Sequence, residues 1–283
     1  MPMEQYRHGD LVFDVLDEGP ADGPVVVLLH GFPQQNHSWD PIIERLTAAG
    51  FRCLAPNQRG YSPGARPRRR RDYRLTDLAD DAVALIDASG ADRVHLVGHD
   101  WGAAVAWAVA ARYPGRLASV VPLSVPHPGA FLRAIPTSRQ GRASWYMAVN
   151  QLPWLPERLM LGRDGSGASM IETLVRSGQS AEIAERDTRA MTQPGALTAA
   201  LNWYRAMPLS DLRAAGEKIT VPTLYVWSDR DVAVTEKPAL DTARYVTGPY
   251  RFETLHGVSH WLPEEKPDVV ADLILEWFAA HPI

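Results

Sequence analysis

One short passage limits the folds open to this chain more than any other. Val94-His95-Leu96-Val97 is a compact apolar run of the kind a buried strand needs, and Gly102-Ala103-Ala104-Val105-Ala106-Trp107-Ala108 begins a helix. Only Gly98, His99, Asp100 and Trp101 lie between them. So abrupt a passage from strand to helix lifts the residue at its apex, Asp100, out of the sheet. Glycines at 98 and 102 let the two backbones approach closely.

The same rhythm recurs along the chain. Leu11 to Leu16 alternates as an early strand. Val25-Val26-Val27-Leu28-Leu29 is a continuous apolar run of the kind found in a parallel sheet covered on both faces. Cys53-Leu54-Ala55 and Ser119-Val120-Val121-Pro122-Leu123 are further strand candidates, as are Val221 to Trp227 and Tyr250 to Leu255. Thr76 is expected to cap a helix with acids in its first turn, running to Ser89 and stopped by Gly90. Another helix is expected over 103–113. A closing amphipathic helix is expected over 268–279, with Val269, Leu273, Leu275, Trp277 and Phe278 as its apolar contacts. Residues 131–214 break the pattern: they are rich in Arg, Trp, Pro and Met and read as helices and loops. The expectation is an α/β fold with a mostly parallel sheet flanked by helices. Its core is residues 1–130 and 215–283, and a helical cap is inserted at 131–214.

Composition sets outer limits. The chain has 283 residues, 46% of them hydrophobic, enough for one large α/β domain with an insertion. A net charge of −4 implies no broad basic surface for nucleic acid. The run Arg68-Arg69-Arg70-Arg71 reads as a solvated loop, since proline and glycine surround it, with an anionic partner as the alternative. The single cysteine, Cys53, excludes an internal disulfide framework and reads as a buried strand residue. No apolar leader or membrane-length stretch is visible, so the expected setting is soluble and cytoplasmic, with no membrane partner. No His/Cys/carboxylate cluster has the spacing of metal ligands, and neither metal nor organic cofactor is expected. Monomer and homodimer both stay open.

The chemistry converges on three loops. A carboxylate at the apex position is ionised at neutral pH and can attack an electrophilic carbon directly. The product is an alkyl ester, so the substrate should carry a leaving group on sp3 carbon. His30-Gly31-Phe32-Pro33 follows the first buried strand and can aim the Phe32 N–H into the site. With the Trp101 N–H it forms a candidate oxyanion hole. The Phe32–Pro33 bond is a candidate for the cis form. Ser228-Asp229-Arg230-Asp231 follows the next-to-last strand. Asp231 is the preferred partner for a histidine because the turn lies between it and the strand end, with Asp229 the alternative. His260, in a loop after the last strand, is the candidate general base. His30 and His99 are expected to shape loops, and His256 to be structural.

These residues together resemble the epoxide hydrolase group of the α/β-hydrolase fold family. The resemblance rests on His30-Gly31-Phe32-Pro33, Gly98-His99-Asp100-Trp101-Gly102, Asp231 and His260, and it covers essentially the whole chain. Haloalkane and haloacid dehalogenases share that aspartate core, so the cap must choose between them. The resemblance implies two cap tyrosines that hold and protonate an epoxide oxygen. Leu201-Asn202-Trp203-Tyr204-Arg205 is similar to one such motif. Ser144-Trp145-Tyr146-Met147 with Gln151-Leu152-Pro153 is similar to the other, although Val149 and Asn150 stand where the family has aromatic residues.

What the resemblance implies is hydrolysis of a small-molecule epoxide to a vicinal diol. Asp100 is the nucleophile, His260 the base, Asp231 its orienting acid, and Tyr146 and Tyr204 the proton donors. Trp101, Trp203 and Asn150 are the expected substrate contacts. Opening an epoxide creates an alkoxide, which a phenol can protonate, whereas a halide needs only N–H donors. A haloacid enzyme would want an arginine beside the nucleophile, and position 101 is tryptophan. A haloalkane dehalogenase and a non-catalytic receptor of the same fold remain the alternatives.

Overall fold

The computed structural model describes residues 2–210 and 216–283. Eight strands form one sheet: β1 (Gln5–His8), β2 (Leu11–Glu18), β3 (Val25–Leu29), β4 (Arg52–Pro56), β5 (Val94–His99), β6 (Leu117–Leu123), β7 (Thr223–Ser228) and β8 (Tyr250–Leu255). Their order is β1-β2-β4-β3-β5-β6-β7-β8. β1 and β2 pair antiparallel, as do β2 and β4, and every other neighbouring pair is parallel.

Crossover helices cover both faces, which is why β3, β5, β6 and β7 are buried along their whole length. Helices α1 (Asp40–Ala48) and α13 (Pro267–Ala280) pack together on one face, and α2 (Leu75–Ser89) and α3 (Trp101–Arg112) on the other. β5 shows how a strand serves both layers: Val94 and Leu96 join the α2–α3 side, while Val97 joins Ile42, Leu46 and Ile274 opposite.

Among the described residues, seven α-helices lie between β6 and β7: α4 (Pro128–Ala134), α5 (Gln140–Ala143), α6 (Trp145–Val149), α7 (Leu155–Leu161), α8 (Ala168–Arg176), α9 (Ala181–Met191) and α10 (Ala196–Ala206). No strand lies among them in the described residues. They form the helical insertion, and its amphipathic α8 and α9 pack on each other. The expected boundary at 130/131 falls inside α4, which packs against α11 (Glu236–Asp241). The expected return at 214/215 lies outside the described residues. Arg68 to Arg71 are exposed, and Cys53 is fully buried on β4. No helix among the described residues is long and apolar enough to cross a membrane.

Two local expectations need correction. Thr76 does not cap α2: the helix begins at Leu75, Arg74 holds the cap position in extended conformation, and Thr76 is in the first turn. Gly90 does end it, at φ 78°. In α13, Val269 faces solvent at 44% exposure, and the buried stripe is Val270, Ile274, Trp277 and Phe278. Apolar residues ring that helix, so the sequence left its phase open by one position.

Candidate active site

In a parallel sheet the carboxyl ends of the strands share one edge, and the loops leaving them meet there. Asp100 leaves β5 with φ 52° and ψ −119°, a strained conformation for a side chain with a Cβ. Both expected close approaches are present. A Cβ on Gly98 would strike the Gly102 carbonyl, and one on Gly102 would strike the Leu29 carbonyl.

The loop after β3 carries the cis Phe32–Pro33 bond. The Phe32 N–H donates to Asp100 Oδ1 at 2.8 Å. Trp101 opens α3 directly after the apex. On the far side of the carboxylate, Asp100 Oδ2 lies 3.5 Å from His260 Nε2. His260 Nδ1 lies 2.9 Å from Asp231 Oδ2. The other aspartate, Asp229, instead faces the exposed His256 at 2.9 Å and accepts from the Gly257 N–H, so it closes a surface turn. Asp231 is anchored by two backbone donors, Ala233 N–H at 2.8 Å and Val234 N–H at 2.9 Å, both on Oδ1.

Charge is finely divided in this line of three groups. Burial works against ionisation of both Asp100 and Asp231. The adjacent His260 outweighs it, and both carboxyls stay below their usual range. Burial likewise lowers His260, but Asp231 and Asp100 on its two sides prevail and push it up to about 10. His30 and His99 are lowered to about 4, chiefly by burial, with a neighbouring histidine adding to it. His99 Nε2 meets the carbonyl of His260 at 2.9 Å and so holds the loop that carries His260.

The helical insertion roofs these groups. Tyr204 on α10 is buried, with its ring edge-on to Trp101 at 5.0 Å and to Phe32 at 5.6 Å. Tyr146 on α6 stands edge-on to Tyr204 at 6.1 Å. Burial, followed by the charge of Asp100, raises both phenols, so they stay protonated at any ordinary pH. Asp100, Trp101, Tyr146, Trp203 and Tyr204 all line one cavity of about 180 Å³. Beyond them its wall is mostly apolar, with Ala104, Ala108, Phe131 and Met147, and includes Thr76, His127 and Ser210. The Trp203 indole N–H is not free within it, because it donates to the Arg59 carbonyl at 2.7 Å.

Asn150 is buried and is not among the residues lining this cavity; its backbone carbonyl accepts from Arg205 Nε at 3.2 Å. One group at the site escaped sequence reasoning altogether: Ser124, at the end of β6, lies within hydrogen-bonding distance of both Asp231 and His260. The available signal was topological, because β6 sits between β5 and β7 and ends on the same edge.

Known proteins resemble this chain over most of its length. The family described as alpha/beta hydrolase fold matches residues 24–267. The AB hydrolase superfamily protein YfhM of Bacillus subtilis is 35% identical over 272 residues, covering 94% of each chain. Epoxide hydrolase A of Mycobacterium tuberculosis is 34% identical over 304 residues, covering 93% of this chain and 92% of that one. Among solved structures, epoxide hydrolase A from Mycobacterium thermoresistibile superposes with a TM-score of 0.82 at 27% identity, with complete coverage of both chains.

Proposed function

This chain belongs to the α/β-hydrolase fold family, and on that premise we propose that it is an epoxide hydrolase acting through a covalent aspartyl ester. Asp100 Oδ2 attacks an epoxide carbon and the ring C–O bond breaks. Tyr146 and Tyr204 hold the ring oxygen and supply its proton, which a developing alkoxide takes readily from a phenol. Oδ1 remains as the ester carbonyl, held by the Phe32 N–H. His260 Nε2 then takes a proton from water as hydroxide adds to the ester carbon. The tetrahedral oxyanion is stabilised by the Phe32 and Trp101 N–H groups. Its collapse breaks the ester C–O bond as the leaving oxygen takes the proton from His260 Nε2, which releases the vicinal diol, and the Asp100 carboxylic acid so formed returns its proton to His260.

The switch of His260 from cation to base is built into this sequence. In the resting protein two carboxylates face the ring. Esterification removes the charge and the acceptor on the Nε2 side, so the ring loses much of what raised it to about 10. The base is therefore uncovered only after the ester has formed, when its Nε2 proton passes through solvent to the phenolate left by ring opening.

The observation that carries the proposal is a carboxylate, not an alcohol, at the strained apex, in one cavity with two protonated phenols. A halide would call instead on N–H donors, and the Trp203 indole is already committed to Arg59. The test is intact and peptide mass spectrometry of His260→Gln with styrene oxide. The expected result is a gain of the whole epoxide mass at Asp100. Adducts only with haloalkanes, or none at Asp100 while diol still forms, would sink the mechanism.

A further inference from the structure

Ser124 is fully buried and holds φ 68°, a left-handed conformation uncommon for a residue with a side chain. Both of its backbone groups are tied to β7: its N–H donates to the Val226 carbonyl at 2.9 Å, and its carbonyl accepts from the Tyr225 hydroxyl at 2.7 Å. The side chain that this conformation presents lies 2.6 Å from Asp231 Oδ2 and 3.0 Å from His260 Nδ1.

A hydroxyl has one proton. The Asp231 carboxylate can only accept, so Ser124 Oγ–H donates to Oδ2. Its lone pairs are left facing Nδ1, which must then carry a hydrogen. That hydrogen is shared between Oδ2 and Oγ, at 2.9 Å and 3.0 Å. In the opposite tautomer the Nδ1 lone pair would face the Asp231 carboxylate, and Ser124 could bond to it only by giving up its own bond to Oδ2.

We propose that Ser124 is a positioning residue that holds His260 in the Nδ1–H form, so that Nε2 is the nitrogen open to the hydrolytic water. This rests on the ester mechanism above. The hydroxyl acts in the second half-reaction, through His260, and contacts no substrate. The strained backbone follows from the placement, because an extended residue at 124 would carry its side chain away from the gap between Asp231 and His260.

Two variants separate hydroxyl from backbone. Ser124→Ala removes the hydroxyl and keeps the strain. Ser124→Gly removes the hydroxyl and relieves the strain, since glycine accepts positive φ. Each is followed by single-turnover kinetics with styrene oxide, reading ester formation and ester hydrolysis separately by mass. The expected result is ester formation within about twofold of the parent. Hydrolysis should be roughly 10- to 100-fold slower in both variants, the range of one hydrogen bond to a charged group. The downfield proton resonance of His260 Nδ1–H should also move or broaden in both. Unchanged hydrolysis in both variants would overturn the proposal, as would recovery in Ser124→Gly alone, which would assign the effect to strain. The resonance needs no turnover. If the parent itself forms no ester, the mechanism above fails, while an unmoved resonance in both variants still overturns the role given to Ser124.

Discussion

Two places in this molecule join one cation to two buried carboxylates, and they behave in opposite ways. The first is the line Asp100–His260–Asp231. The second joins the helical insertion to the core: Arg186 and Asp187 on α9 meet Glu264 on the short helix α12 (Leu262–Glu265), just beyond His260. In the first, both carboxyls are held below their ordinary range. In the second, burial raises both Asp187 and Glu264, and Arg186 at 2.7–2.8 Å does not reverse it. The difference lies in the arrangement. His260 stands between its two acids, and each has further donors: Phe32 N–H for one, and Ala233 N–H, Val234 N–H and Ser124 Oγ–H for the other. Asp187 and Glu264 sit side by side, with Gln179 Nε2 bridging them, and the charge of Asp187 adds to the rise at Glu264. Arg186 is 39% exposed, so water screens much of its pull. A cation between two acids keeps both ionised; a cation beside two adjacent acids leaves them competing for a proton.

The sharpest way to break this comparison is at the nucleophile. Asp100→Ala should reduce epoxide turnover on the order of 10⁴-fold or more, because no other group supplies the ester. Its thermal stability should change little, since a buried charge and its desolvation disappear together. Diol formation within tenfold of the parent would remove Asp100 from the mechanism. The phenols come next. Tyr204→Phe and Tyr146→Phe should each lower the rate of ester formation about 10²-fold, within the range of general acid catalysis. The double variant should fall further while still dehalogenating no faster than the parent. Equal activity in all three, read by stopped-flow ester formation, would leave the leaving-group oxygen without its donors.

How far these groups could be read from sequence depends on whether they are local. Asp100 was legible because its neighbours, an apolar run, two glycines and an alanine-rich helix, dictate the turn on their own. Phe32 and His260 were legible by position after strands. Asp231 was left beside Asp229, because two residues of one tight turn differ only in which way the turn closes; the hydrogen bonds of Asp229 to Gly257 and His256 decide it. Asn150 came from the resemblance alone, which supplies a position but not the packing around it; here it is buried away from the cavity lining. Ser124 was missed because nothing within ten residues of it marks it. Its partners lie 107 and 136 residues away, brought near only by strand order. The Asp187–Glu264 pair belongs to the same class, for its two carboxyls meet only when the insertion closes on the core.

That second cluster gives the next largest effect. Arg186→Ala leaves two adjacent buried carboxyls with Gln179 alone, and it should cost about 3 kcal/mol near neutral pH, read by urea denaturation. The loss should be smaller at acidic pH, where one carboxyl takes up a proton. Epoxide turnover measured well below the melting range should stay within a few-fold, because Arg186 contributes nothing to the cavity around Asp100. A stability loss independent of pH would mean that Arg186 acts by packing and not by charge.

The smallest effect tests the side-by-side arrangement itself. A carboxyl whose folded value is raised binds its proton more tightly in the folded state than in the unfolded chain. Stability from such a group is present at low pH and is lost as pH climbs from the unfolded value through the folded one. Both Asp187 and Glu264 are raised, so the parent should lose stability as pH climbs out of the acidic range. Glu264→Gln removes one titrating group and relieves the other, because Asp187 no longer faces a second charge. Arg186 keeps an acceptor at position 264. The variant should therefore gain on the parent as pH rises between pH 4.5 and pH 7.5. The measurement is the difference between the two melting curves at each pH, which cancels groups elsewhere in the molecule. Parallel profiles would mean that the two acids do not share a proton, and the contrast with the line through His260 would then rest on burial alone.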